Sequence, residues 1–281
     1  MGGAVAREGG AMARGGVRTA SRGGTGREVA ARCGLVARGV LYVLIGVLAV
    51  RVAFGGGGQE ADRQGALQEL AAQPFGKVLV WAVGVGIVCM MLWRLSEAVF
   101  GAAGPDGDKA SKRATSAARA VFYGVVAFSV LSFAAGAGNR QSGDQQSRDM
   151  TSKAMELPGG QWWVGAAGVA IAVAGVVVAV QAARRTFRKH LAMTGASQGA
   201  RKAVDVLGIA GGIARGTVFA AAGGFVVYAA VRFDPGQAKG MDDTLRSLAQ
   251  TPAGPWLLVA VAAGLVLFGL FSWAMARWRR V

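Results

Sequence analysis

Acidic side chains are scarce in this chain of 281 residues, with 15 Asp and Glu against 31 Lys and Arg, and only one histidine accompanies them. Acid–base catalysis and metal binding draw on those groups. His190 closes the basic run Arg184 to His190 with no acidic partner or nucleophile near it in sequence, so a solvated role is expected there. The two cysteines, Cys33 and Cys89, lack Cys-x-x-Cys spacing and fall at the head of one apolar run and inside another. Different depths are expected for them, which argues against a disulfide or a shared metal. The apolar cores hold no Asp or Glu, so the buried carboxylate that proton-coupled carriers commonly use is missing. Gly55 to Gly58 precedes no Lys-Ser or Lys-Thr and reads as a flexible joint, not a phosphate loop. No catalytic residue, metal or cofactor is expected, and the chain reads as non-enzymatic.

What is abundant is apolar. Hydrophobic residues make up 53% of the chain, charged ones 16%, and the mean hydropathy is +0.41. They gather in six runs, Gly34 to Phe54, Lys77 to Ala98, Ala118 to Gly136, Trp162 to Ala183, Val206 to Val231 and Trp256 to Ala276. A helix rising 1.5 Å per residue crosses about 30 Å of hydrocarbon in roughly 20 residues. The expected fold class is therefore all-α, a polytopic integral membrane protein with six transmembrane helices. Trp162, Trp163, Trp256 and Trp278 stand at span ends, where an aromatic belt belongs. The first run begins too far from Met1 and is too long for a cleaved signal, so it is expected to remain as an anchor.

The net charge of +16 lies in tails and connections, where it orients the chain and meets anionic lipid headgroups; nucleic acid is not an expected partner. Eighteen Lys and Arg fall in the tail, the second and fourth connections and the C-terminus, against seven in the odd-numbered connections. The positive-inside rule then puts both termini on the cytoplasmic side. Residues 1–32, rich in Gly, Ala and Arg, are expected to form a disordered basic cytoplasmic tail.

The chain repeats itself. Ala37-Arg38-Gly39 returns as Ala118-Arg119-Ala120 and Ala214-Arg215-Gly216, each followed after two residues by an aromatic, Tyr42, Tyr123 or Phe219. Leu67-x-x-Leu70-Ala71-x-x-Pro74-x-Gly76 recurs as Leu245-x-x-Leu248-Ala249-x-x-Pro252-x-Gly254, while the middle copy keeps Pro158 and Gly160. Such spacing predicts a short outer helix with one apolar stripe, ended by a Pro-x-Gly turn into the next span. The units are residues 33–104, 105–193 and 194–281, each with two spans. An even number of spans enters every copy from the same side, so the units are parallel repeats in a pseudo-threefold bundle of hairpins.

Two sets of residues stand out. Gly208, Gly212, Gly216, Ala220 and Gly224 recur every four residues and predict a groove for close helix packing, within the chain or in a homo-oligomer. Arg38, Arg119 and Arg215 lie one turn inside the cytoplasmic end of the odd spans. They snorkel to phosphate headgroups, or they face inward as a set that binds an anionic headgroup or solute. Glu97 offers Arg38 a partner in the first unit, and Arg51 and Arg94, near span ends, are expected to snorkel.

This order of small-Arg-small-x-x-aromatic heads and Pro-x-Gly turns, three times over residues 31–281, resembles the bacterial membrane family called domain of unknown function 1206. The resemblance implies the architecture and carries no activity. The leading reading is a membrane or lipid-associated scaffold, with the bilayer and its anionic headgroups as partners. The alternative is a channel or carrier for a small solute or anionic lipid. A carrier would line a mid-depth cavity with Tyr123, Ser129, Ser132, Thr217 and Tyr228.

Overall fold

The computed structural model describes residues 9–54, 61–101, 109–136, 143–193, 195–239, 241–249 and 254–279. The described residues hold α1 (Gly9–Ala53), α2 (Arg63–Ala71), α3 (Gly76–Phe100), α4 (Ala110–Ala134), α5 (Gly143–Met155), α6 (Gly160–Ala183), α7 (Gln198–Arg232), α8 (Met241–Ala249) and α9 (Gly254–Trp278). Six stretches, Gly26–Ala53, Gly76–Phe100, Ala110–Ala134, Gly160–Ala183, Gln198–Arg232 and Pro255–Trp278, are long and apolar enough to cross a membrane. The chain is a multi-pass, all-α membrane protein. The joint at Gly55–Gly58 and the turn residue Pro252 lie outside the described residues.

One boundary differs from the expectation. Residues 9–32, read as a disordered tail, continue α1. The helix is already packed where the tail was to end: Ala31 is fully buried, and Arg27 donates to the Gly101 carbonyl at 3.3 Å. A span nucleates a helix that extends wherever its flank finds a partner, and composition alone does not report that partner.

The repeated turns have a steric cause. Phe75 and Gly159 adopt left-handed backbone angles, φ 60° and 70°, which reverse the chain between a short helix and the span that follows. A Cβ on Gly76 would stand 2.1 Å from the Ala71 carbonyl oxygen, and one on Gly160 2.0 Å from that of Ala154. Glycine is required there because the two helices meet backbone to backbone. Leu67, Leu70 and Leu245 of the apolar stripe are buried, so α2 and α8 cap one end of the bundle through that face. The middle unit, which lacks the stripe, also forms its outer helix, α5.

Neighbouring spans meet through glycine. Gly168, Gly175, Gly212, Gly216 and Gly223 join α6 to α7; Gly39, Gly46 and Gly269 join α1 to α9; Gly34 and Gly86 join α1 to α3. In lipid the drive for packing is close van der Waals contact, which these small residues permit. Of the five-residue stripe, Gly212, Gly216 and Ala220 face α6 and Gly208 faces Phe187 and Phe271, but Gly224 has open space around it and Gly223 takes its place. Steps of four residues drift by about 40° each on a helix of 3.6 residues per turn, so the stripe leaves the seam by its last member.

The most extensive packing joins successive units: α3 with α4, α6 with α7, and α9 back to α1. Within units α1 packs on α3 and α7 on α9, whereas α4 and α6 do not pack along their lengths among the described residues. A hairpin packed on itself holds for the first and third units but not for the second.

Candidate anion site

The motif arginines lie on α1, α4 and α7, in the half of the bundle that carries both chain ends. Arg38 is buried, 8% exposed, and its Nε donates to the Ser272 hydroxyl of α9 at 3.2 Å. Arg215 is partly buried and its Nε donates to the Tyr42 hydroxyl of α1 at 2.8 Å. Both guanidiniums face one ring, that of Phe268, at 5.2 and 5.0 Å from its centroid, and Arg215 also lies 5.1 Å from the Phe219 ring. Aromatic faces attract cations most strongly where water is excluded. Tyr123 lies beside Arg38 and within electrostatic range of Arg215 and Arg94. The aromatic of each repeated head thus lies with the arginines, Tyr42 and Phe219 against Arg215 and Tyr123 against Arg38. Arg119 differs: it is exposed, yet in electrostatic range of Arg94, Arg215, Tyr123 and Glu97.

Two further guanidiniums join them. Arg94, 5% exposed, stacks 4.1 Å over Trp93, and Arg279 stacks on the same ring at 4.6 Å. Arg94 was expected to snorkel. Instead its Nη1 donates to Glu97 Oε2 at 2.7 Å, so Glu97 serves Arg94, and Ser116 at 3.4 Å, rather than Arg38. The reason is reach: Glu97 is one helical turn from Arg94 on the same helix. Arg279 is placed by main-chain pairing, with Leu191 bridged to it and the Ala192 N–H donating to the Trp278 carbonyl at 2.7 Å. Neither recurs in all three units: the position corresponding to Arg94 in the third unit is Ser272, and Arg279 corresponds to Arg185 in the second unit but to Gly101 in the first.

Five guanidiniums therefore share one region with a single carboxylate, Glu97, among the described residues. Several buried donors there have no hydrogen-bond partner among the described residues: Arg38 Nη2, Arg94 Nε, Arg279 Nε and Trp93 Nε1. A buried cation without a counter-charge is costly in a low-dielectric surrounding, and unpaired N–H groups add to that cost. The arrangement is chemically fitted to an oxyanion, which accepts several N–H donors at once.

The candidate carrier lining is dispersed. Tyr123 is at the arginine centre, Ser129 receives Arg63 at 3.5 Å towards the opposite end, Thr217 is exposed and bonds back to the Ile213 carbonyl, and Tyr228 is 46% exposed. His190 lies on a short 3-10 helix, its pKa held below the usual histidine value by partial desolvation and the Arg279 charge. A cleft of about 660 Å³ beside it is crossed by Arg188, whose Nε donates to Asp205 at 2.7 Å. Cys33 and Cys89, expected at different depths, lie at one level: Gly34 abuts the Met90 backbone and the Cys33 carbonyl faces Gly86. Both are free thiols.

At the other end, carboxylate oxygens of Asp144, Asp242 and Asp243 come within 4.8 Å of one another. Asp242 accepts from the Ala61 N–H at 2.7 Å and from Arg246 at 2.6 Å, Asp243 pairs with Arg148, and Asp144 accepts from the Asp243 N–H at 3.0 Å. Two arginines already balance two of these acids, so this cluster ties α5, α8 and the start of α2 together. Burial and the neighbouring Asp243 charge raise Asp144 to about 7.

Three stretches, residues 33–101, 114–185 and 210–279, match the family described as Domain of Unknown Function (DUF1206), and each contains one pair of spans. The uncharacterized protein YxxB of Bacillus subtilis (strain 168) is 30% identical over 243 residues, covering 86% of this chain and 87% of that protein. No solved structure matches.

Proposed function

We propose, from the premise that this chain belongs to the DUF1206 family, that it is a non-enzymatic, lipid-associated scaffold whose helices are held together around a bound anion. In this reading three parallel two-helix units form a pseudo-threefold bundle in the bacterial inner membrane, with both termini and the arginine centre on the cytoplasmic side. The observation that carries it is Arg38, a guanidinium 8% exposed with Nη2 unpartnered and no carboxylate at hand. Within apolar surroundings such a group is retained where an anion completes it. Basic pockets between spans on the cytoplasmic side are fitted to lipid headgroups. A catalytic role has less support, because Glu97, the acid nearest the guanidiniums among the described residues, is engaged by Arg94.

One observation favours a second reading, an anion carrier: Tyr42, Tyr123, Arg215 and Phe219 are each partly exposed, and α1, α4 and α7 do not pack along one another among the described residues. Thermal unfolding of the purified protein, with and without inorganic phosphate, tests the first reading. A higher Tm with phosphate in the native protein, lost in Arg38→Gln, is expected; an unchanged Tm refutes it. Phosphate uptake into reconstituted vesicles would replace it with the second.

A further inference from the structure

We infer, resting on the anion reading above, that the ligand is the phosphomonoester headgroup of a membrane lipid, admitted sideways past Arg119 where α4 and α6 stand apart. The first ground is charge. Among the described residues, Arg38 and Arg215 share the Phe268 ring, Arg94 and Arg279 share the Trp93 ring, and with Arg119 nearby they meet one carboxylate, Glu97. A diester headgroup brings one negative charge, whereas a phosphomonoester, with a second pKa near 6, brings close to two at neutral pH and three acceptor oxygens. Planar guanidiniums meet such oxygens in pairs of parallel N–H bonds. The unpartnered donors on Arg38, Arg94 and Arg279 belong to different helices, α1, α3 and the end of α9, so a single headgroup bonded to them would tie those helices together.

The second ground is access. Arg119 is exposed on α4 while it feels Arg94, Arg215 and Tyr123, so the basic region reaches the surface at that side chain. The flank of α4 is uncovered there, since α4 and α6 do not pack along their lengths among the described residues. Phe122, 55% exposed, lies about one turn further along the same helix, where acyl chains of a lipid anchored at Arg119 would run. A free anion needs no such apolar path.

The test uses the full chain in nanodiscs of phosphatidylcholine, with three additions made separately: phosphatidic acid as the monoester lipid, phosphatidylglycerol as the diester lipid, and inorganic phosphate. Thermal stability and native mass spectrometry are the readouts. Phosphatidic acid is expected to remain bound and to raise Tm more than phosphatidylglycerol. Arg119→Gln is expected to weaken phosphatidic acid by about tenfold, one lost charge-assisted contact, while leaving the response to inorganic phosphate unchanged. Arg185→Gln, on the exposed strap, controls for general surface charge and should change neither. Equal responses to the two lipids overturn the monoester assignment. Equal responses to lipid and free phosphate, both lost in Arg38→Gln and both untouched by Arg119→Gln, overturn the lipid and its route but leave the anion reading standing. No response to any of the three overturns both. Should Arg119→Gln fail to fold, Arg119→Lys with the same lipid series serves: a reduced preference for phosphatidic acid over free phosphate supports the route past Arg119, and an undiminished preference overturns it.

Discussion

The two ends of the bundle hold opposite charges and resolve them differently. Beyond the spans, Asp242 and Asp243 are met by Arg246 and Arg148, and Asp242 also by the Ala61 N–H, so these two acids are balanced from within the chain, while Asp144 keeps Oδ1 unpartnered. On the side of the termini, five guanidiniums have one carboxylate among the described residues, and buried donors go unpaired there. A balanced buried cluster is sufficient as structure, because each charge is satisfied by another in the fold. An unbalanced one points outward, to something that binds. Removal of Asp242, a balanced acid, and of Arg38, an unbalanced cation, should therefore differ in sign.

The largest effect is expected from a change that touches neither end. Gly216→Ala would drive a Cβ to 2.6 Å from the Gly175 carbonyl oxygen and 2.7 Å from the Ala179 nitrogen, prying α7 from α6. A loss of about 3 kcal/mol, an overpacking cost, is expected in denaturant titration, together with any phosphate response. Next, Asp242→Ala strands the Ala61 N–H and Arg246, and a loss of about 2 kcal/mol is expected from the unpaired buried group. Arg38→Met should do the reverse, raising Tm in detergent without added anion by about 2–4 °C, as removal of an uncompensated buried cation stabilises by about 1 kcal/mol. If Arg38→Met instead lowers Tm as Asp242→Ala does, the contrast between the ends fails.

Smaller still is a pH effect at the acidic end. Asp144 titrates near 7 in the folded protein and near 4 when unfolded, so between those values the folded state holds the extra proton. Stability from this group is present below about pH 4 and falls as pH rises to about 7. Asp144→Asn, which keeps an acceptor for the Asp243 N–H, should flatten that slope and raise Tm at pH 8 by about 2 °C. Finally, Gly224→Ala meets nothing within 4 Å and should be neutral or stabilise by about 0.5 kcal/mol, against the large cost at Gly216.

Much of this protein was legible along the chain. Spans, outer helices and Pro-x-Gly turns follow from run length, stripe and repetition, because a helix in lipid satisfies its own backbone and needs only apolar length. Arg38, Arg119 and Arg215 were found as a set through their repeated heads. Arg94 and Arg279 were not: the positions matching Arg94 are Val178 and Ser272, and Arg279, matched only by Arg185 of the second unit, is brought in by a main-chain pairing with Leu191 that leaves no mark in sequence. Glu97 was assigned to Arg38 when its own helix held a nearer partner. Gly224 fitted a four-residue step that real helical pitch does not maintain.

The sequence by itself determined that six apolar helices in three related pairs would lie in a membrane, since hydrophobic length and periodicity act locally. Only the tertiary structure decided which spans touch, that the second unit's two helices stand apart, and that cations from α1, α3, α4, α7 and the end of α9 converge on one region. Side-chain direction depends on the crossing of neighbouring helices, and those crossings are fixed by which glycine meets which backbone across the bundle.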